Sequence, residues 1–353
     1  MSTGISITEL ADGAAGDPLL GNEGRVVAPL FVVDVDAPAG DALLERAECA
    51  ARRCDRILVG VTGAAELDDA RRRLAGLLDL TLAPHALAAT GHQFVATPDT
   101  SADAASLDAA ARANPQAALV LGHLLRTTGQ LDVGPALDVE SLAYSTLLGG
   151  AEFRRWLARR GPRPVPPAAG PVVLVARTGG RLHVTLNRPE RRNAYGREVR
   201  DALVDALRIA ELDPTVERVV LDGAGPSFCS GGDLDEFGTA PDLATAHLVR
   251  TRAGAGLVAH AIAGRLEVHV HGSCVGAGIE LPAFAGRIIA RPGTTFQLPE
   301  VGMGLVPGAG GTVSLPRRIG RWRTLFLALS GRPLDAATAR DWGLVDEVDG
   351  VEA

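Results

Sequence analysis

The chain has 353 residues, and at roughly 100–200 residues per domain that length predicts two or three domains. A hydrophobic share of 46% against 22% charged, with 42 glycines that follow no period, excludes chain-wide disorder and a collagen-like fibre. The net charge of −7 argues against a nucleic-acid partner, which needs a basic face.

Residues 1–24, rich in Gly, Asp and Ala, show no period and read as a mobile tail. The segment 29–35 (PLFVVDV) reads as a strand, 41–53 (DALLERAECAARR) has helical spacing, and 56–61 (RILVGV) reads as a second strand. Residues 65–78 are helical again. From 104 to 160 the pattern is almost continuously helical, punctuated by Pro115 and a loop near 128–134. The Pro/Gly-rich run 161–171 (GPRPVPPAAGP) is a stiff linker and the clearest boundary in the chain. Beyond it Leu182, Val184 and Leu186 alternate with polar residues, Val199 to Ala210 keep helical spacing, and 216–221 and 266–271 read as strands. A helix is expected to begin at Gly276 and run to Arg287. Strand–helix alternation implies βα units and a largely parallel sheet. A faint repeat links DALLERA (41–47) to DALVDAL (201–207), and RILVGVTG (56–63) to RVVLDG (218–223).

No apolar run approaches the ~18 residues of a membrane span, and the N-terminus lacks the basic-then-apolar order of a signal peptide. Cys49, Cys54, Cys229 and Cys274 have no metal-ligand spacing and read as reduced thiols. Together these features predict a cytoplasmic protein with no metal site and no membrane partner. All 35 positive charges are arginine, so Schiff-base chemistry on a lysine is impossible. No G-x-S-x-G nucleophile elbow, P-loop or dinucleotide fingerprint is present. His269 and His271 share a strand face and lack further ligands nearby, so they read as structural.

Three segments can carry chemistry. Phe228 to Leu234 (FCSGGDL) follows a strand, and its small residues let a ligand approach the backbone. Gly272 to Glu280 (GSCVGAGIE) sits at a strand-to-helix junction, where free N–H groups favour a negative oxygen. One N–H from each would form an oxyanion hole for an acyl group. Glu280, and Glu300 within FQLPEVGMGLVPGAGGT (296–312), lie in apolar runs where an idle carboxylate would be costly. Two such carboxylates can hold a water or pass a proton.

These motifs, in order with Leu186-Asn187-Arg188-Pro189, LPRRIG and the SGRPLDAATARDWGLVDEV close, resemble the enoyl-CoA hydratase/isomerase, or crotonase, superfamily over residues 182–348. The resemblance implies an α/β fold, a crotonase-like ββα spiral core over 166–353, that binds acyl-CoA thioesters and assembles as a homo-trimer or hexamer. It implies an oxyanion hole at the Gly232 and Ala277 N–H groups, with Ala277 standing where glycine is common. It implies that Glu280 assists attack of water on a 2-enoyl-CoA while Glu300 supplies the Cα proton. Substrate contacts are implied at Arg188, Arg192, Ser230, Gly231, Asp233, Leu234 and Gly278, with Leu298 and Met303 in the pocket wall. No cofactor is implied, because CoA arrives with the substrate.

Family members continue beyond the segment matching GLVDEV with helices that cover the acyl pocket. Residues 101–165 resemble those helices, although they precede the core. The first half is therefore expected to hold a truncated, degenerate crotonase-like α/β segment (25–100) followed by the covering helices, contributed within the chain or to a neighbour. The leading expectation is reversible syn hydration of a trans-2-enoyl-CoA. The alternatives are a double-bond isomerase, a biosynthetic dehydratase, or a non-catalytic crotonase-like partner subunit.

Overall fold

The structure, a computed structural model, describes residues 4–350. In the first half, β1 (Gly4–Ser6), β2 (Leu30–Asp34), β3 (Ile57–Val61), β4 (Leu80–Ala83) and β5 (Phe94–Ala96) lie side by side in chain order, all parallel. The crossovers carry α1 (Ile7–Ala11), α2 (Asp41–Arg53), α3 (Asp69–Leu77) and α4 (His85–Ala88). Strands β3 and β4 are apolar and buried along almost their whole length, as in a parallel sheet covered on both faces.

Residues 1–3 lie outside the described residues, and residues 4–24 are not the tail that their composition suggests. Strand β1 pairs with β2, and α1 begins with a capping box in which Ser6 and Glu9 satisfy each other's backbone N–H groups. Ile5, Ile7, Leu10 and Ala15 pack against Val33, Leu44, Leu58 and Leu74. So few apolar residues, scattered among Gly, Asp and Ala, make no readable period, yet they suffice to seat the segment on the sheet edge. The first sheet thus begins well before residue 25.

Four helices follow: α5 (Thr100–Ala113), α6 (Pro115–Thr128), α7 (Val133–Leu148) and α8 (Ala151–Arg160). Asp99 caps α5 by accepting the Ala102 N–H at 2.9 Å. Pro115 occupies the first turn of α6 and forces the chain to break after Asn114. Residues 161–170 form neither helix nor strand.

In the second half β6 (Val173–Thr178) runs antiparallel to β7 (Arg181–Leu186). From β7 the sheet continues in parallel through β8 (Arg218–Gly223), β9 (Leu266–Val270), β11 (Arg287–Ala290) and β14 (Glu347–Val348). Helix α9 (Arg197–Leu212) crosses from β7 to β8 and buries Val199, Leu203, Leu207 and Ala210. Helices α10 (Leu243–Arg252) and α11 (Ala255–Ala261) precede β9. A smaller sheet joins β10 (Ser273–Val275), β12 (Thr295–Gln297) and β13 (Leu334–Asp335). The helix expected from Gly276 is a single turn, α12 (Ala277–Glu280), after which a 3₁₀ turn at Pro282–Phe284 leads to β11. Helix α13 (Gly311–Ser330) is two segments that meet at Gly320, where φ is +76°, and α14 (Ala336–Trp342) precedes β14.

The two halves share one apolar core, which extends from Leu30 and Ile57 through Leu121 and Leu124 to Leu327 and Val345. Buried polar bonds fix the junction. The Asp79 side chain is 1% exposed and accepts from Arg126 Nε of α6 at 2.8 Å, Arg321 Nη1 of α13 at 3.2 Å and the Leu58 N–H at 2.9 Å. Trp322 Nε1 donates to the Leu78 carbonyl at 3.0 Å. Replacing Asp79 strands two arginines beside a sealed interior. We expect Asp79→Ala to lower the unfolding free energy by about 3 kcal/mol, the low end for a broken buried pair because both arginines keep some access to water. Urea unfolding should show the loss as a lower midpoint.

Candidate active site

Loops at the ends of β7, β8 and β10 meet in register. The Tyr195 N–H donates to the Gly231 carbonyl at 2.7 Å, and the Asp233 N–H donates to the Tyr195 carbonyl at 3.2 Å. The backbones of Cys229 and Cys274, both free thiols, pair in parallel, and the Val275 N–H donates to the Cys229 carbonyl at 3.1 Å. Gly278 lets the segments approach this closely, since a Cβ there would lie 2.2 Å from the Cys229 carbonyl oxygen. Between these bonds the N–H of Gly232 and the N–H of Ala277, first residue of α12, have no acceptor among the described residues. Ala277 does not have positive φ, so its methyl group imposes no backbone strain.

Gly232, Ala277, Glu280 and Glu300 all line one cavity of about 740 Å³. Gly276, at φ +49°, is the point on which the two carboxylates converge: a Cβ there would lie 2.5 Å from Glu300 Oε1 and 3.6 Å from Glu280 Oε1. Glu280 Oε2 accepts from the N–H groups of Ala309 (2.7 Å) and Gly311 (2.9 Å). Glu300 Oε2 is buried without a hydrogen-bond partner among the described residues. Burial pushes the Glu300 carboxyl up to about 8. Burial, and then the nearby charges of Glu300 and Glu140, raise Glu280 well above the usual carboxylate range. Within the pair, the donors on Glu280 favour its ionised form, while Glu300 without a donor on Oε2 favours the acid.

The roof of the cavity comes from the first half of the same chain. Leu137, Glu140 and Tyr144 of α7 and Phe153 of α8 line it. Glu140, which sequence reasoning did not single out, accepts from the Gly310 N–H (2.8 Å) and from the Thr312 N–H and hydroxyl (2.9 and 2.7 Å). Burial raises its carboxyl to about 7. A sequence signal existed: Glu140 follows Val133 and Ala136 at helical spacing on the buried stripe of α7. Asn114 Nδ2 and Thr128 Oγ1 tie the same helices to the Val301 and Thr312 carbonyls at 2.9 and 2.8 Å.

The other residues expected to contact substrate do not line this cavity. Arg188 is buried outside the cavity, with its guanidinium hydrogen-bonded to the Pro166 carbonyl and Glu198; the linker folds over it and removes it from any mouth. Arg192 is exposed on a left-handed turn and does not line the cavity. Of the run 230–234 only Gly232 lines it. Asp233 is turned inward to Arg191 at 2.5 Å, and the Ser230 N–H is bonded to the Arg192 carbonyl. Gly231 and Leu234 do not line it either. Gly278 backs onto Cys229, and Leu298 and Met303 are buried behind the wall rather than in it. The arginines that do line the cavity are Arg154, Arg197, Arg200 and Arg250. These positions follow from how the loops pack, which local motif spacing does not encode.

Residues 177–353 match the family model for enoyl-CoA hydratase/isomerase. The chain is 36% identical over 180 residues to the 1,2-epoxyphenylacetyl-CoA isomerase of Escherichia coli K12, covering 48% of this chain and 66% of that one. It is 35% identical over 176 residues to the 2,3-dehydroadipyl-CoA hydratase of the same strain, covering 50% and 68%. A solved structure, a carnitinyl-CoA dehydratase from Mycobacterium avium 104, aligns at 39% identity and a TM-score of 0.46 over 52% of this chain and 71% of that chain. The chain thus spans about two thirds of the length of these curated relatives.

The raised carboxylates set a pH dependence of stability. A carboxyl whose pKa is higher folded than unfolded stabilises the fold while both states are protonated and loses that contribution as pH rises through the folded value. For Glu300 the window runs from about 4.5 to about 8. We expect Glu300→Gln to match the wild-type melting temperature near pH 5 and to exceed it above pH 8; a pH series of thermal melts checks this.

Proposed function

The chain belongs to the enoyl-CoA hydratase/isomerase family, and from that premise we propose that it adds water reversibly across the double bond of a trans-2-enoyl-CoA. The observation that carries this reading is the convergence of two protonatable carboxylates on one point beside two unpartnered N–H groups.

The Gly232 and Ala277 N–H groups receive the thioester oxygen and stabilise the negative charge that it gains as the enolate forms. Glu280, held through Oε2 by the Ala309 and Gly311 N–H groups, takes a proton from a water whose oxygen bonds to Cβ. Glu300, kept protonated by burial, delivers its proton to Cα. One O–H bond of water and the Cα=Cβ π bond break, one C–O and one C–H bond form, and the proton gained by Glu280 balances the one lost by Glu300. The reverse sequence dehydrates a 3-hydroxyacyl-CoA. Two carboxylates in reach of one water favour hydration over isomerisation, in which a single group can relay the proton. Glu140 touches no reacting atom in this scheme; it holds the loop that holds Glu280, and is a positioning residue.

Incubation with crotonyl-CoA and longer enoyl-CoAs should give products heavier by one water. Glu280→Gln and Glu300→Gln should each lower kcat by about 10²- to 10⁴-fold while thioester binding persists. Regioisomeric enoyl-CoA as the product would instead establish an isomerase, and activity equal to wild type in both variants would remove the carboxylates from the reaction.

A further inference from the structure

We propose that the end of the cavity beside α7 and α10 is an anion site centred on Arg250, and that the acyl groups this chain takes carry a carboxylate remote from the thioester. The inference rests on the acyl-CoA reading above and extends it to a substrate class.

Arg250 lines the cavity and is half-buried, yet its hydrogen bonds go to serines and it forms no ion pair with a carboxylate among the described residues. Its Nε donates to Ser141 Oγ at 3.1 Å, and Nη2 donates to the Ser141 carbonyl at 3.3 Å and to Ser145 Oγ. Nη1 has no hydrogen-bond partner among the described residues. Glu140 is near enough for its charge to be felt, but both of its oxygens are already held by Gly310 and Thr312. A half-buried guanidinium that keeps one nitrogen open to the cavity and has no ion partner is incompletely compensated. A ligand carboxylate would supply that partner through charge-assisted hydrogen bonds.

The location selects the acyl end of a thioester. The Arg250 guanidinium lies 4.5 Å from the centre of the Tyr144 ring. That ring packs on Gly308, where a Cβ would lie 2.3 Å from it. The next residue, Ala309, donates its N–H to Glu280. Arg250, Tyr144, Gly308 and Glu280 therefore form one continuous wall leading from the reacting carbons to the cation. The Tyr144 hydroxyl lines the same space and has no hydrogen-bond partner among the described residues, so it offers a second donor. Arg154 and Arg197 are exposed, and Arg200 is paired with Asp201, which leaves Arg250 as the half-buried cation of the lining without a carboxylate partner among the described residues.

Hexanoyl-CoA and hexanedioyl-CoA have the same carbon count and cannot be hydrated, so their dissociation constants test the site without relying on turnover. Titration calorimetry on the full chain should show hexanedioyl-CoA bound at least tenfold more tightly by the wild type. Arg250→Gln should abolish that preference while leaving hexanoyl-CoA affinity within about twofold. Tyr144→Phe should weaken the preference part-way. Equal wild-type affinities, or a preference that survives Arg250→Gln, would overturn the proposal. Equal losses for both thioesters in Arg250→Gln would assign the residue to helix pairing or to the CoA moiety and overturn it too. Binding of neither thioester would defeat the acyl-CoA reading and this inference together, whereas diacid preference without hydration would defeat only the reaction assigned above.

Discussion

Four successive backbone N–H groups at the start of α13 hold the site together. Those of Ala309 and Gly311 point to Glu280, and those of Gly310 and Thr312 point to Glu140. The alternation places one carboxylate from each half of the chain on opposite sides of a single loop. Such N–H groups have no acceptor inside the helix, and the helix dipole favours negative charge at this end. The loop must therefore be glycine-rich, because side chains here would meet Tyr144, Phe284 or Glu280.

This clamp explains why the first half is not an appendage. Its helices close the cavity through Glu140, and through Asn114 and Thr128, which reach the Val301 and Thr312 carbonyls. Its sheet meets α13 through Asp79, which also gathers Arg126 and the strand β3. The shared apolar core supplies the driving force for docking, while the buried polar bonds fix its register, since each would leave an unsatisfied group if the halves slid. Three buried carboxylates are the consequence: burial first, and then the repulsion of neighbouring carboxylates at Glu280 and Glu300, makes it costly for Glu140, Glu280 and Glu300 all to ionise, which keeps a protonated carboxyl in the site near neutral pH.

The second half was legible because its chemistry lies on short, local patterns. FCSGGDL and GSCVGAGIE each place small residues where backbone segments must touch, and such contacts depend on residue size at fixed spacing. Glu280 and Glu300 stood out because an acid in an apolar run needs a reason. Residues 4–24 misled for the converse reason: Ile5, Ile7 and Leu10 are too few to form a period, and their burial depends on a sheet edge that other segments supply. Arg188, by contrast, lies outside the cavity, and the linker carbonyl of Pro166 accepts from its guanidinium, a contact that its motif does not encode.

The sequence by itself determined the family of the second half, the parallel βα architecture, and the helical character of residues 100–160, since each is written in spacing and residue size within a few turns of chain. Only the tertiary structure decided that those helices roof the cavity of their own chain, that Glu140 shares a loop with Glu280, and that Arg250 rather than Arg188 faces the cavity. These outcomes pair residues as much as 187 positions apart. They depend on which buried donor or charge is left without a partner once the core has closed, a quantity that exists only in three dimensions.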